Sequence, residues 1–116
     1  SMGIWKDGLN ILENNVKQSN YHDELNKKNI LHLRELLSTL PPFCAQFFRG
    51  IQEYTSSRTR IAYAYDIRVF FEYLHETNPI FKKNKIVDFK LDMLDQITRL
   101  DIEEYLEYCS YYIFNK

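Results

Sequence analysis

The sequence predicts an all-α protein, and three observations lead to this fold class. Apolar residues recur at steps of three and four along most of the 116 residues, which is the spacing of one helix face. Only 3 Gly and 3 Pro are present, so few positions interrupt a helix. The 9 Tyr and 8 Phe supply bulky side chains for a core. At this length we expect one domain, a bundle of four to five helices with an extra helical arm at its N-terminus.

The N-terminal third is predicted to contain two helices with a break between them. Residues 4–18 show a weak apolar periodicity, and the polar stretch "QSNYHDELNKKN" is expected to hold the break. A second helix then runs from Asp23 or Asn26 to about Thr39. Two consecutive prolines end it, because the residue before a proline is pushed out of the helical region. We interpret residues 1–40 as an N-terminal helical extension.

The remainder, residues 41–116, is predicted to be the main domain. Pro42 suits the first turn of a helix, where a missing N–H group loses no partner. Thr98 is a good N-cap with Asp101 near the N3 position, where the helix dipole favours an acid. In chain order, we expect a helix over roughly 42–54, one from a cap at Ser56 or Ser57 to about His75, a long irregular stretch with one short helical turn at Leu91–Gln96, and a last helix after Thr98.

The stretch "TSSRTRIAYAYDIRVFFEYL" has an unusual first turn. Arg58 and Arg60 stand where the positive end of the helix dipole favours acids, and no acid occurs before Asp66. A helical wheel directs Arg58, Arg60 and Arg68 to solvent. Two interpretations stay open: a solvated surface, or an anion site in which amides, hydroxyls and guanidinium groups share one phosphate. The opposite face is predicted to enter the core through Ala64, Ile67, Phe70, Phe71 and Leu74.

Charge is unevenly distributed along the chain. The whole sequence has a net charge of −1, but residues 58–90 carry +3 and residues 91–116 carry −4. An anionic partner would therefore be drawn to the middle segment. No apolar run is long enough to cross a membrane, and no secretory signal is recognisable, so we expect a cytoplasmic location without membrane contact.

Cysteine and histidine give no sign of a metal site or a catalytic group. Cys44 and Cys109 are far apart and lack zinc-binding spacing, so we expect two buried, reduced thiols. His22, His32 and His75 share no spacing that suggests a metal or a catalytic pair. We therefore expect no metal, no cofactor and no catalytic residue in this chain.

Three blocks, in the right order, resemble the N-terminal core-binding domain of tyrosine recombinases, the phage-type integrases. "SSRTRIAYAYDIRVFFEYL" resembles its central helix, "LPPFCAQFFRGIQ" the helix before it, and "LDQITRLDIEEYLEYCSYY" its later element. The resemblance covers roughly 41–112. The matching positions are Ser56, Ser57, Thr59, Tyr63, Ile67, Phe70 and Leu74 in the first block, and Ile97, Thr98, Asp101, Ile102, Tyr105 and Leu106 in the last.

This resemblance implies a small SAM-like helical bundle that forms half of a clamp around duplex DNA at a recombination core site. Cleavage and rejoining in DNA recombination and integration would be the work of a separate C-terminal domain, so we expect no enzymatic activity here. Other recombinase protomers would be further partners. With about four to six phosphates neutralised, log affinity would change with a slope of about −4 to −5 per log unit of salt. The expected DNA-binding residues are Arg58, Thr59, Arg60, Tyr65, Arg68, Lys82, Lys83, Lys85 and Arg99.

The chain departs from the family pattern at both ends. Residues 1–40 are not general to the family, and we expect them to be an added helical arm that lies on the bundle or reaches a neighbouring protomer. Family domains continue into a further helix pair after the last block, so we expect a truncated fragment that self-associates through apolar groups at 102–114. Ser1 before Met2 is interpreted as a remnant of cloning. The main alternative function is an all-helical protein–protein interaction module that binds no nucleic acid. A helix-turn-helix also stays open, although "EYTSSRTR" fits a tight recognition turn poorly.

Overall fold

The computed structural model describes residues 2–112 of the chain, and this part contains helices and connecting turns without a strand, so the all-α class is confirmed. Two 3-10 turns, Ile86–Asp88 and Leu91–Gln96, lie in the connection before the last helix. The α-helices are α1 (Met2–Leu37), α2 (Phe43–Gly50), α3 (Ser57–Thr77), α4 (Pro79–Lys82) and α5 (Arg99–Tyr112).

The predicted break in the N-terminal third is wrong, because α1 is one continuous helix of 36 residues. The segment 18–29 contains neither proline nor glycine, so nothing in it stops a helix that has already formed. Its polar residues face water, and Glu24 pairs with Lys27 one turn later at 3.5 Å. Polarity alone had suggested a break, but a solvated helix tolerates polar residues on every side.

Most of α1 projects from the rest of the molecule. The protein measures 76 × 31 × 19 Å, and a helix of 36 residues is roughly 54 Å long. We call residues 2–25 the arm, and every side chain of the arm that the structure describes is exposed. The C-terminal part of α1 packs against α3, and the Ser57 hydroxyl donates a hydrogen bond to Asn26 Oδ1 at 2.8 Å.

One apolar core joins the C-terminal part of α1, α2, α3, α4 and the two 3-10 turns, and no described residue of α5 belongs to it. The predicted inner face of α3 is confirmed, with Ala64, Phe71 and Leu74 buried and Ile67 and Phe70 partly buried. The predicted burial of both cysteines is confirmed as well, and both are free thiols. The remaining core residues are Leu33, Leu36 and Leu40 around the end of α1, Phe48 of α2, and Phe81 and Phe89 of the connection.

The connection after α3 is more ordered than the sequence suggested. Asn78 caps α4, because its Oδ1 accepts from the Ile80 amide at 2.9 Å, and Pro79 occupies the first turn. This places Phe81 and Phe89 in edge-to-face contact, with ring centroids 4.9 Å apart. Their burial was missed, because neither residue belongs to a long periodic segment.

The end of α2 and the start of α5 can be compared with the helix boundaries that the sequence predicted. The helix expected over 42–54 ends at Gly50, and Tyr54 is exposed rather than part of an apolar face. The predicted cap of the last helix is confirmed. The Thr98 amide donates to Asp101 Oδ2 at 2.8 Å, and the Asp101 amide donates to Thr98 Oγ1 at 3.1 Å. None of the described helices is both long and apolar enough to cross a membrane.

Candidate nucleic-acid interface

The N-terminus of α3 is capped by its own chain. Ser56 has an extended backbone, and its Oγ accepts from the Thr59 amide at 3.1 Å, as the sequence predicted for a cap. The same hydroxyl donates to Thr59 Oγ1 at 2.9 Å. One amide of the first turn and the Thr59 hydroxyl therefore already have hydrogen-bond partners within the chain. This end of the helix has correspondingly fewer free hydrogen-bonding groups for a phosphate.

Arg60 does not reach solvent, so the expectation of an exposed guanidinium at this position is wrong. The residue is 7% exposed. Its Nη1 lies 3.1 Å from the Gln52 carbonyl oxygen, 2.6 Å from that of Thr55 and 3.2 Å from Thr55 Oγ1. The side chain reaches into the turn between α2 and α3 and donates hydrogen bonds to two carbonyl groups of that turn. Arg60 holds this corner together.

The other predicted DNA-binding residues of α3 differ in whether they already have an ion-pair or hydrogen-bond partner. Arg58 is exposed, and among residues 2–112 it takes part in no ion pair. Arg68 Nε donates to Glu72 Oε1 at 3.1 Å along the same helix. Tyr65 is partly exposed, and its hydroxyl lies 3.0 Å from His32 Nε2 of α1. Arg58 is thus the freest of the predicted cations on α3.

Three lysines follow α3 at its other end. Lys82 closes α4, and Lys83 and Lys85 lie in the turn behind it; all three are exposed, and no ion pair of the described chain includes them. Arg99, at the start of α5, is exposed but pairs with Glu103 at 3.1 Å. An exposed pair of this kind contributes about 0.2–1 kcal/mol, so a phosphate can displace the carboxylate from Arg99 or Arg68.

The predicted contacts do not form one compact patch. Arg58 lies at the first turn of α3, and Lys82 follows its last turn; α3 itself, with 21 residues, is roughly 30 Å long. Between these ends, α3 exposes Asp66, Glu72 and Glu76. The cations without an ion pair among residues 2–112 therefore lie at the two ends of the helix. Between them Arg68 is paired with Glu72, while Asp66 and Glu76 add negative charge.

Tyrosines fill the contact between α3 and α5. The Tyr73 ring lies 5.2 Å from that of Tyr105 and 5.0 Å from that of Tyr108, and Phe70 lies 4.7 Å from Tyr105. Burial raises the pKa of Tyr105 and, together with the charge of Glu104, that of Tyr73. Both phenols are thus kept neutral, as packing groups require. The contact pairs residues more than thirty positions apart, so the local sequence pattern did not reveal it.

An apolar groove lies on another side of the core. It has a volume of about 550 Å³ and is lined by residues of α2, α3 and the second 3-10 turn. Phe43, Phe47, Ile67, Phe70 and Leu94 form much of its wall. Such a surface offers few donors to a phosphate and does not belong to the candidate interface. The sequence could not reveal it, since three separate elements build it.

The last helix exposes apolar side chains, including Ile102, Leu106 and Tyr111. They lie on the predicted self-association surface, whose residues 113 and 114 fall outside the described part of the chain. No family model, no curated protein and no solved structure matches this sequence. The resemblance to tyrosine recombinases therefore depends on the three sequence blocks alone.

Proposed function

We propose that this chain is a DNA-binding module, the core-binding part of a tyrosine recombinase that grips the backbone of duplex DNA. Cleavage and rejoining would belong to a separate catalytic domain. One structural observation supports the proposal most directly. Four exposed cations, none of them in an ion pair among residues 2–112, lie at the two ends of α3, which holds one of the three blocks that resemble the family. They are Arg58, Lys82, Lys83 and Lys85.

The spacing of these cations suits a duplex that lies along α3 and is held at two points. The length of α3, roughly 30 Å from one end to the other, corresponds to about nine base pairs at 3.4 Å per pair. The exposed acids between the two ends repel phosphates, which favours contact at the ends over contact along the whole helix. Arg60 is not among the contacts that we propose, because its guanidinium is occupied by carbonyl groups.

Titration of a fluorescent duplex at several salt concentrations tests the proposal. Four neutralised phosphates predict a slope of about −3.6 in log affinity against log salt, and the dissociation constant of this chain for the duplex should lie in the range of about 10⁻⁴ to 10⁻⁶ M. Arg58→Glu, and Lys82→Glu combined with Lys83→Glu, should each weaken binding and flatten the slope. Lys28→Glu is the matched control, because Lys28 is an exposed lysine on α1.

Two outcomes contradict this assignment. Binding that does not respond to salt would exclude a phosphate interface. An equal loss in Lys28→Glu would mean that net charge alone governs the interaction, without a defined site.

A protein–protein interaction module without nucleic-acid binding is the second candidate. The apolar side chains that α5 exposes favour it, because Ile102 and Leu106 are 47% and 60% exposed. This candidate predicts that a duplex does not bind even at low salt, where the DNA-binding proposal predicts the strongest complex.

A further inference from the structure

The arm carries an apolar stripe that the rest of the described chain, residues 2–112, leaves uncovered. Trp5, Leu9, Leu12 and Val16 follow one another at steps of four, three and four, the repeat of a coiled-coil seam. Their side chains are between 59% and 78% exposed. Because α1 is one uninterrupted helix, the arm cannot fold back onto its own core. The rest of residues 2–112 therefore does not cover this stripe, whereas a helix of a second molecule can reach it.

The shape of the stripe fits the side chain of a partner helix. Trp5, Gly8, Leu9 and Leu12 surround a notch of about 290 Å³. Residues at i, i+3, i+4 and i+7 are the four that form a hole for a knob of the facing helix in a coiled coil. Gly8 widens the notch, since no other residue approaches the position that its missing Cβ would occupy. The notch therefore suits a side chain as large as leucine.

Charges beside the stripe indicate which helix pairs with it. Lys6 and Glu13 are seven residues apart and flank the same side of the stripe, next to Trp5 and Leu12 respectively. No ion pair of residues 2–112 includes either of them. In an antiparallel pair of identical helices, the flanking positions of one copy face the same flanking positions of the other copy. Lys6 of each copy then faces Glu13 of the other, which gives two pairs of opposite charge.

We propose that the arm is a dimerisation element and that its partner is the arm of a second copy, in antiparallel orientation. Leu9 of each copy lies opposite Leu12 of the other, and Lys6 of each faces Glu13 of the other. The arm has a suitable length, because residue 2 of the second copy then lies opposite residue 19. This position precedes Asn26, where the packed part of α1 begins. The two cores stay at opposite ends of the pair.

The parallel arrangement lacks this complementarity. In a parallel pair, Glu13 would face Gly8 of the second copy, and no oppositely charged side chain would meet Lys6. The interface is short and lies below the roughly 1,200 Å² of a standard stable complex, so the dimer should dissociate on dilution. The continuity of the arm with α1 favours association, because the helix need not form on binding.

Sedimentation equilibrium of the full chain and two charge variants tests this proposal. Lys6→Glu places glutamates opposite glutamates in its own dimer, and Glu13→Lys places lysines opposite lysines. Each variant alone should dimerise at least about fivefold more weakly, as expected for two exposed pairs. An equimolar mixture should recover the affinity of the parent, because every facing pair is then one acid and one base. Asp7→Lys, on the opposite face of the helix, is the control and should change nothing.

Leu9→Asp provides a second measurement, since it should abolish dimerisation while the circular dichroism of the exposed arm and the core changes little. Three outcomes overturn the proposal: a monomer at every concentration, a dimer indifferent to Lys6→Glu and Glu13→Lys, or an equal loss in Asp7→Lys. A dimer that withstands these changes and disappears with Leu106→Lys belongs to α5 and overturns it as well.

Discussion

Arg60→Met should destabilise the fold and leave the salt dependence of DNA binding unchanged. Methionine keeps most of the apolar volume and removes every hydrogen-bond donor of the side chain. Two carbonyl groups and the Thr55 hydroxyl then lose the guanidinium that now lies 2.6–3.2 Å from them. The corner between α2 and α3 is the part of the structure most directly affected.

The size of the effect follows from these contacts. A hydrogen bond to a charged group contributes about 1.5–3 kcal/mol, and a buried acceptor left without a partner loses a similar amount. Gln52 is exposed, so water can reach its carbonyl group and recover part of this loss. We expect the free energy of unfolding to fall by about 2–3 kcal/mol, which lowers the melting temperature of a domain of this size by roughly 8–12 °C.

Arg58→Ala is the matched comparison, because it removes the same side-chain type two residues away. Arg58 is exposed, so the free energy of unfolding should change by less than about 0.5 kcal/mol, while the salt slope should become shallower by about 0.9. Arg60→Met should therefore lower the free energy of unfolding in urea and leave the salt slope of duplex binding unchanged. Arg58→Ala should leave the free energy of unfolding nearly unchanged and make the salt slope shallower. The reasoning fails if Arg60→Met leaves stability intact and weakens DNA binding as Arg58→Ala does, since Arg60 would then contact phosphate.

Thr98→Ala should lower the free energy of unfolding by about 1 kcal/mol in urea denaturation, because it removes half of the reciprocal cap with Asp101. Thr98→Ser keeps the hydroxyl, and an equal loss in both variants would argue against capping. Burial raises the pKa of the Cys44 thiol from 9.0 to about 11, so its contribution to stability is complete below about pH 9 and is lost as the pH rises through about 11. Thermal unfolding between pH 8 and pH 11 should therefore show a steeper decline for the parent than for Cys44→Ala; parallel curves would be inconsistent with a buried neutral thiol. Ile102→Lys with Leu106→Lys should remove the light-scattering signal of any association through α5 while leaving that through the arm.

Local features of the sequence predicted the individual helices well. The caps at Ser56 and Thr98 and the inner face of α3 depend on residues three or four positions apart, so they can be recognised before the fold is known. The short helix α4 was missed although Asn78 and Pro79 mark its start, because four residues are too few to show a periodic pattern. The burial of Phe89 was missed, because it depends on where distant elements pack. The predicted break in α1 was wrong, since a polar segment was taken to mean an irregular one.

The candidate site shows the same division. The sequence alone determined the number and order of the cations and the all-helical class, because both follow from residue types and local periodicity. Only the tertiary structure decided that Arg60 points inward while Arg58, two residues earlier, stays in solvent. A helical wheel gives only the direction of a side chain relative to the helix axis, so it could not show that the turn before α3 lies next to Arg60. The carbonyl groups of that turn accept hydrogen bonds from the Arg60 guanidinium in place of water. Likewise, only the tertiary structure decided that residues 2–25 project as the arm, because the other elements cover only the C-terminal part of α1.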